Sequence, residues 1–350
     1  GEYEMAINYF NFAYRLFEEL NTKEEIAKSY SNFGSSYLQQ KKYDKAMYFY
    51  KKALKLREEL NDYDGMINIY LNLGLLYLNM NNFQKAVNLY KDALKIAKQH
   101  DNKKEIAQIN NFIAKGYYRW DKYNKASEYA LEELKFWESQ GNKEKIGAVV
   151  NFIGKLYYDW KNYEKAIEYY IRYLNIAQDL GDSVSISKAY INIGNIYFDW
   201  TNFEKAQEYY KNSLNVAEEM IESSSLSDKA KNNTKNNIAI LYNNLGMVSK
   251  KMKQYQEALR YCKKSLEIKD EIGEEEKKIY PLTSIGEIYL KTGNYNQAAK
   301  YARQSLDIAK TTDEMKLIQD AYYLLYEVYS ASNRYDRALE YHIKYSEIKD

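Results

Sequence analysis

The chain has 350 residues with only 14 glycines and one proline, and this composition excludes collagen-like and intrinsically disordered proteins. Its 51 Lys and Arg residues nearly balance 49 Asp and Glu residues, so the net charge of +2 provides no overall field for nucleic acid or an anionic membrane. Hydrophobic residues at 45% and aromatic residues at 16% can bury a large core. We therefore expect a soluble helical protein.

No apolar run approaches the length of about 18 residues that a membrane-spanning helix needs. The first residues also lack the charged and apolar regions of a secretory signal peptide. We expect a cytoplasmic location without membrane insertion in this segment, and a periplasmic sensor region is the alternative. The single cysteine, Cys262, excludes an internal disulfide framework.

A repeat with a period of 40 residues runs along the chain. It consists of a small residue, followed in most copies by an aromatic residue three positions later and in all seven by an aromatic residue nine, alanine twelve and leucine twenty positions later. The small residues are Gly34, Gly74, Ala114, Gly154, Gly194, Gly246 and Gly286. Tyr326 takes this place in a degenerate eighth copy, and Tyr3 and Ala6 belong to a leading half copy.

These marks predict one solenoid that occupies residues 1–350. It contains a half repeat at 1–20 and complete repeats at approximately 21–60, 61–100, 101–140, 141–180, 181–232, 233–272, 273–312 and 313–350. The step from Gly194 to Gly246 is 52 residues rather than 40, which places 12 extra residues between Met220 and Asn236. We expect them to form longer helix ends and a loop, and a lip over one face is the alternative.

Each repeat predicts two antiparallel helices, A and B. Apolar residues spaced i, i+3, i+4 and i+7 mark helix A at 30–37, and a similar stripe marks helix B at 43–54. The small residue of helix A and the alanine of helix B are the predicted points of closest approach. One hairpin cannot bury its own stripe, so neighbouring hairpins must stack. Pro281 is expected to begin or kink its helix.

The repeated pattern resembles the tetratricopeptide repeat over essentially the whole chain. Its period is longer than the usual period of about 34 residues, and residues such as Glu58 stand where a proline usually closes helix B. The resemblance implies an all-α, right-handed α-solenoid of about eight and a half helix hairpins. The 40-residue subgroup of this family includes polarity scaffolds, peptide-pheromone receptors and sensor regions of bacterial signalling proteins. Residues 338–350 resemble the end of the last repeat in such signalling proteins.

The resemblance also implies a ligand groove, because helix A lines the concave surface of tetratricopeptide arrays. The lining positions lie six, three and two residues before the small residue and one, four and five after it. Asparagine at such positions can donate and accept hydrogen bonds, which suits the main chain of an extended peptide. The predicted ligand-binding residues are Asn111, Lys115, Tyr118, Arg119, Asn151, Lys155, Tyr158, Asn192, Asn195, Phe198, Asn243, Asn244 and Met247.

Cationic residues outnumber anionic residues at the lining positions of the third to sixth copies. The residues counted are Lys115, Arg119, Lys155, Lys188, Lys250 and Lys251 against Asp159 and Asp199. A concave wall focuses such a field, so the sequence predicts an acidic ligand or one with a free carboxylate. The two-carboxylate clamp of chaperone-tail receptors is a different site, and Ile191, Tyr280 and Ser284 stand at its basic positions here.

Several conspicuous side chains have structural explanations. His100 ends a helix B, and Cys262 and His342 occupy a position that is tyrosine in other repeats. Trp120, Trp160 and Trp200 recur near the turn between helices A and B. We expect the three tryptophans to stack against each other and close the turns, with an aromatic ridge for a partner as the alternative.

Apolar residues at the two ends of the chain predict end-to-end self-association. They are Tyr3, Phe10, Tyr341 and Tyr345.

The sequence thus predicts a non-enzymatic protein- or peptide-binding scaffold or sensor domain of a larger signal-transduction protein. No catalytic, metal-binding or cofactor-binding pattern is recognisable, and no nucleic-acid partner is expected. The alternatives are a peptide-pheromone receptor that lacks its effector domain, an enzyme and an RNA-binding helical repeat. The last of these would need a clearly basic groove.

Overall fold

The computed structural model describes residues 22–222, 227–312 and 314–349, and this part of the chain is all-α, as predicted. Its sixteen α-helices follow one another in pairs. They are α1 (Lys23–Gln39), α2 (Tyr43–Glu59), α3 (Tyr63–Asn79), α4 (Phe83–Gln99), α5 (Lys103–Arg119), α6 (Tyr123–Ser139), α7 (Lys143–Asp159), α8 (Tyr163–Asp179), α9 (Ser183–Asp199), α10 (Phe203–Glu222), α11 (Asp228–Lys251), α12 (Tyr255–Glu271), α13 (Ile279–Lys291), α14 (Tyr295–Ala309), α15 (Met315–Ala331) and α16 (Tyr335–Lys349).

The chain divides into two compact units, Gly1–Tyr169 and Tyr170–Asp350, and the division falls inside α8. Consecutive helices pack against each other from α1 to α7 and from α9 to α16, and α1 also touches α3, α3 touches α5, α11 touches α13 and α13 touches α15. The odd-numbered helices, which correspond to helix A, therefore form a layer of their own within each unit. The predicted leading half repeat at 1–20 lies outside the described residues.

The same three-residue turn joins most of the helices. At the first turn the Lys41 and Lys42 amides donate to the Leu38 and Tyr37 carbonyl oxygens, both over 2.9 Å, which is the Schellman arrangement at a helix C-terminus. The residue with positive φ recurs every 20 residues, at Lys41, Asn61, Asn81, Asp101, Asp121, Gly141, Lys161, Gly181 and Thr201. Most helices before the insertion have 17 residues, so one helix and one turn make up half of the 40-residue period.

The last residue of each turn also begins the following helix. Asp62 and Asn82 accept hydrogen bonds through their side chains from the amides of Gly65 and Lys85, over 2.9 and 3.3 Å. Such N-caps satisfy amides that have no partner within the helix. Asn and Asp thus recur at this position because one residue closes the Schellman turn and caps the next helix.

The 12-residue insertion mainly lengthens two helices. Helix α10 has 20 residues and α11 has 24, against 17 in the regular helices. Ser227 caps α11 by accepting from the Ala230 amide. Lys235 begins the part of α11 that follows the regular register, and its ion pair with Glu271 repeats that of Lys23 with Glu59. Pro281 lies in the first turn of α13, after a short 3₁₀ helix at Glu276–Lys278, so it begins its helix as expected.

The core of a hairpin is built around a tyrosine ring that lies on a glycine. A Cβ atom on Gly34 would lie 2.5 Å from Tyr50 Cε1, and one on Gly194 would lie 2.6 Å from Tyr210 Cε1. The tyrosine comes 16 residues after the glycine. The predicted approach of the small residue to the alanine also occurs, since a Cβ on Gly246 would lie 3.2 Å from the Ala258 carbonyl oxygen.

The size of this pair varies between repeats. Where the third repeat has Ala114 rather than glycine, the residue 16 positions later is Ala130 rather than tyrosine, and both are fully buried. Gly74 pairs with Tyr90, whose ring would collide with any Cβ at that position. A tyrosine at the second position therefore requires glycine at the first, whereas the pairs Gly246 with Cys262 and Gly286 with Ala302 are smaller.

The last helix differs in part from the sequence-based expectation. Tyr341 is half-buried and stacks on the buried Tyr329 with ring centroids 5.5 Å apart, and Tyr345 is half-buried with its ring centroid 5.2 Å from that of Tyr323. The large apolar side chains that α16 exposes are Tyr335, Leu339 and Ile343. The exposed apolar surface of α16 therefore consists mainly of residues other than Tyr341 and Tyr345. Tyr3 and Phe10 lie outside the described residues, and self-association itself stays a prediction.

We predict that the glycine and tyrosine of one pair are energetically coupled. Gly74→Ala should destabilise the protein by about 1–3 kcal/mol through overpacking, even though alanine favours a helix more than glycine does. Tyr90→Ala should cost about 3–5 kcal/mol, and no hydrogen bond of the Tyr90 hydroxyl to another described residue is lost. The double variant, which copies Ala114 and Ala130, should lose less than the sum in urea unfolding. Additive losses would contradict the pairing.

Candidate ligand groove

Helices from four successive repeats of the second unit surround a pocket of about 360 Å³, which we call the second-unit pocket. Three of its sides come from α9, α11 and α13, and α15 closes the fourth. Tyr210 of α10 reaches it from the even-numbered layer. Its lining residues are Asn195, Phe198, Tyr210, Asn243, Asn244, Met247, Ile279, Tyr280, Thr283, Ser284, Glu287, Leu317 and Asp320.

Five of the residues predicted to bind ligand line this pocket. They are Asn195, Phe198, Asn243, Asn244 and Met247. Tyr280, Thr283, Ser284, Glu287 and Asp320 also line it but were not among the predicted residues. They lie at the same lining positions of the seventh and eighth repeats, so the sequence register, extended by two repeats, would have identified them.

The polar side chains of the second-unit pocket are only partly satisfied within the protein. The Tyr210 hydroxyl donates to Asn195 Oδ1 over 2.7 Å, which leaves the Asn195 NH₂ group as the donor that this residue offers a ligand. Asn243 Oδ1 is buried without a hydrogen-bond partner among the described residues. Two hydroxyls are engaged, since Thr283 bonds Ser305 over 2.7 Å and Ser284 donates to Met247 Sδ over 3.3 Å.

The charge of the second-unit pocket differs from the sequence-based expectation. Lys250, one of the predicted cationic residues, forms an ion pair with Glu287 and is largely buried there. The charged residues that line the pocket are Glu287 and Asp320. Because Lys250 neutralises Glu287, the carboxylate of Asp320 sets the local charge, and this part of the groove is acidic rather than basic.

A pocket of about 530 Å³ in the first unit has the opposite charge. Residues of α1, α2, α3 and α5 and of the first turn line this first-unit pocket: Ser35, Leu38, Gln39, Lys41, Tyr43, Tyr50, Asn72, Leu75, Asn79 and Arg119. Its charged residues are Lys41 and Arg119, the second of which was predicted to bind ligand. Ser35 Oγ lies 3.1 Å from the Tyr50 hydroxyl and repeats the arrangement of Asn195 with Tyr210.

The remaining predicted residues do not line either pocket. Asn111 donates to Glu133 Oε2 over 2.7 Å, so this amide serves its own hairpin. The Tyr118 hydroxyl donates to Asp159, and Lys155 Nζ lies 5.3 Å from the centre of the Tyr118 ring. The other four are Lys115, which is exposed, and Asn151, Tyr158 and Asn192, which are half-buried.

Glu133 is a buried carboxyl group beneath this surface. It accepts hydrogen bonds from Asn111 and from the Trp137 indole, the latter over 3.3 Å. Burial raises the pKa of Glu133, and the two hydrogen bonds only partly oppose this effect. The ionised form is therefore disfavoured in the folded state.

We predict that Glu133→Gln stabilises the protein near neutral pH. An acid with a raised folded-state pKa binds more protons when folded, so its unfavourable contribution to stability develops as pH rises above the ordinary pKa range of a glutamate. The variant should have a higher Tm at pH 7, and the gain should shrink toward pH 4. Thermal unfolding followed by circular dichroism measures both, and a gain that is independent of pH would contradict this explanation.

The three recurring tryptophans each stack on a tyrosine of their own helix, and Trp160 also stacks on Tyr123 of the preceding repeat with ring centroids 6.3 Å apart. Trp120, Trp160 and Trp200 each stand at the C-cap of an odd-numbered helix. Trp120 stacks on Tyr117 with ring centroids 6.1 Å apart, and Tyr117 stacks on Tyr129 of the next helix at 5.8 Å. The same column recurs in the other two hairpins. These ring contacts therefore stabilise the packing of the C-terminal end of each odd-numbered helix against the even-numbered helix that follows it.

Cys262, His100 and His342, the other residues discussed in the sequence analysis, each contact neighbouring side chains or backbone. Burial raises the pKa of the Cys262 thiol to about 12, and its sulfur fills the space beside Gly246. The His100 ring lies 4.1 Å from the ring centre of Tyr63. His342 is exposed beside Tyr326, so the core position inferred for it was wrong. A bulky tyrosine replaces glycine at position 326, which leaves no room beneath it.

Neither a metal centre nor a membrane span is found in the part of the chain that the structure describes. Within it, no three His, Cys, Asp or Glu side chains are arranged to hold a metal ion. None of the described helices combines the length and the apolar character needed to cross a membrane.

The sequence profile of the tetratricopeptide repeat matches residues 1–59, 25–99, 65–139, 145–219 and 237–311. These matches cover most of the chain and agree with its helix pairs. The chain belongs to the tetratricopeptide repeat family. No curated protein sequence matches it significantly.

The fold is similar to several solved structures at low sequence identity. BtubC from P. vanneervenii is 23% identical with a TM-score of 0.56, over 65% of this chain and 95% of BtubC. A signal transduction ATPase (STAND protein) with a tetratricopeptide repeat sensor from Pyrococcus horikoshii is 19% identical with a TM-score of 0.63. That similarity covers 99% of this chain and 53% of the ATPase, so the chain spans about half of that protein.

A third similar structure is the apo form of the quorum sensor NprR from B. thuringiensis. It is 14% identical with a TM-score of 0.58, over 99% of this chain and 98% of NprR. At such identities the similarity concerns the fold alone.

Proposed function

We propose that this tetratricopeptide repeat chain binds extended segments of protein or peptide in pockets lined by its odd-numbered helices, and that it catalyses no reaction. The observation that carries the proposal is the second-unit pocket, to which four successive odd-numbered helices contribute. A site shared by four repeats offers a line of contacts rather than a single point. That arrangement suits a chain that lies across the helices.

The lining of the second-unit pocket combines amide groups and apolar surface, which a peptide can contact with its main chain and its side chains. Asn195, Asn243 and Asn244 provide amides for the main chain, and one amide oxygen is buried and unsatisfied among the described residues. Phe198 and Met247 provide apolar surface for side chains. Such apolar surface with a few placed polar groups is typical of ligand sites.

The charges favour different ligand segments in the two units. Lys41 and Arg119 in the first-unit pocket suit an acidic side chain or a free carboxylate, which keeps the sequence-based partner prediction for that unit. Asp320 in the second-unit pocket suits a lysine or arginine side chain instead. Electrostatic complementarity of this kind acts mainly on association rate and specificity.

We further propose that the chain is the sensor or scaffold region of a larger signal-transduction protein. Its fold similarity to half of a STAND protein with a tetratricopeptide repeat sensor supports this role. The second candidate is a peptide-receptor regulator, which the fold similarity to the quorum sensor NprR supports. In both cases the recognition step would use the same pockets.

Selection from a random peptide library displayed on phage tests the binding proposal. The enriched peptide would be labelled and its affinity measured by fluorescence anisotropy. Asn244→Ala should weaken binding about tenfold if the amide bonds the peptide main chain, because the buried partner is left unpaired. Asn215→Ala is the matched control, since Asn215 is exposed on α10 and does not line the pocket.

Equal affinities for the parent and the Asn244→Ala variant, or no enrichment at all, would reject the second-unit pocket as the binding site. A loss that the Asn215→Ala control shares would point to a general defect of the fold.

A charge variant tests the preference for a basic segment. Asp320→Asn should slow association of a selected peptide that contains lysine or arginine and reduce the salt dependence of that rate. Stopped-flow fluorescence at several salt concentrations measures the effect. Selection of peptides dominated by Asp and Glu would contradict the predicted charge preference.

A further inference from the structure

A second cavity in the second unit lies beside α12 and has a volume of about 420 Å³, and we call it the side cavity. Helices α11, α12 and α13 and the 3₁₀ helix contribute its walls. It shares Asn243, Asn244 and Tyr280 with the second-unit pocket but adds Ser265 and Lys269 from the even-numbered layer. These two residues lie outside the positions at which the family resemblance implies ligand contact.

The two added residues are polar and almost completely buried. Ser265 is 1% exposed, and its hydroxyl has no hydrogen-bond partner among the described residues. Lys269 is 2% exposed, and its ammonium group donates to Asn236 Oδ1. A lysine ammonium has three donors, so this one bond leaves donors for another acceptor. An uncompensated buried ammonium is costly, and an anion in the cavity would offset that cost.

The groups around Lys269 leave it without a neutralising partner of its own. Lys277 lines the same cavity and repels it, and the carboxylate of Glu274 lies 2.9 Å from Lys277. Burial and the Lys277 charge lower the pKa of Lys269 to about 8, and Glu274 only partly opposes them. Because Lys277 and Glu274 largely balance, the side cavity offers one net positive charge.

The mouth of the side cavity is apolar. Ile240 is 41% exposed and Tyr280 is 53% exposed, and both line the cavity together with the buried ring of Pro281. A ligand that reaches Lys269 and Ser265 must therefore place apolar atoms against Ile240 and Tyr280. One negative charge on an apolar body fits this surface, whereas a phosphate dianion would carry more charge than the cavity balances.

We propose that the side cavity binds the carboxylate of an apolar acid. Lys269 supplies the net positive charge, the Ser265 hydroxyl donates a hydrogen bond to the carboxylate, and the apolar body contacts Ile240 and Tyr280. The acid is either a small aliphatic carboxylate or the C-terminus of a peptide that ends in an apolar residue. The proposal does not depend on a peptide in the second-unit pocket, since it concerns the buried residues of α12.

Two pairs of probes test this proposal in a buffer free of carboxylates. The first pair is hexanoate and hexanamide, and the second is an acetylated tripeptide ending in leucine and its C-terminal amide. Titration followed by heteronuclear NMR gives the affinity and shows which amides shift. We expect at least one acid to bind and to shift residues of α12, and its matched amide to bind far more weakly. The acid that binds more tightly identifies the source of the carboxylate.

Variants of the two buried residues separate a binding role from a structural one. Lys269→Met should weaken binding of the acid about tenfold or more, and Ser265→Ala roughly three- to tenfold. Ser265→Ala removes a hydroxyl that has no partner among the described residues, so thermal stability should not fall.

The chain offers a matched control for each substitution. Ser249 is also buried with an unpartnered hydroxyl among the described residues, but it does not line the side cavity. Lys263 is exposed on the same helix as Lys269. Ser249→Ala and Lys263→Met should leave the affinity unchanged.

The proposal fails if neither acid binds, if acid and amide bind equally, or if Lys269→Met and Ser265→Ala both retain the affinity of the parent. Phe198→Ala separates it from the groove proposal, because Phe198 lines the second-unit pocket and not the side cavity. Loss of peptide binding in the Phe198→Ala variant with unchanged binding of the acid would assign the two ligands to two sites. Failure of peptide selection by the parent protein, together with binding of the acid that Lys269→Met weakens, would support the side cavity and reject the groove proposal.

Discussion

The contact of a tyrosine ring with a glycine backbone connects the core of this protein to its ligand-binding surface. The ring of Tyr210 covers Gly194, and this fixes where its hydroxyl emerges, beside Asn195 on the next position of the same helix. Tyr50, Gly34 and Ser35 repeat the geometry in the first unit. The packing that holds two helices together therefore also orients a polar group at the pocket.

The pair also explains a polar group that is left unsatisfied. Tyr90 lies over Gly74, but the residue that follows this glycine is Leu75, which cannot form a hydrogen bond through its side chain. The Tyr90 hydroxyl accordingly has no partner among the described residues, and burial raises its pKa. The repeat thus retains the tyrosine for its ring, and the hydroxyl is used only where the neighbouring residue is polar.

Much of the fold and part of the site could be predicted from sequence, because both depend on local periodicity. The 40-residue register gave the helix pairs, the turns and the lining residues Asn195, Phe198, Asn244 and Met247. The ion pair between Lys250 and Glu287 could not be inferred in this way, since it joins side chains of different repeats. The inward direction of Tyr341 likewise depends on the packing of α16 against α15. Ser265 and Lys269 became visible only when the cavity beside them was known.

Because the turns are alike, the number of preceding helices decides which of the two layers a helix joins. The turn inside a repeat and the turn between two repeats each contain one residue with positive φ at the same place. The backbone therefore looks the same at both kinds of turn and does not show where one repeat ends. Only the side chains distinguish the layers, with glycine on odd-numbered helices and its tyrosine on even-numbered ones. If one helix were gained or lost, every helix after it would move to the other layer. The insertion before α11 respects this rule, because it extends two helices and adds none, so α11 and α13 stay in the layer that lines the pocket.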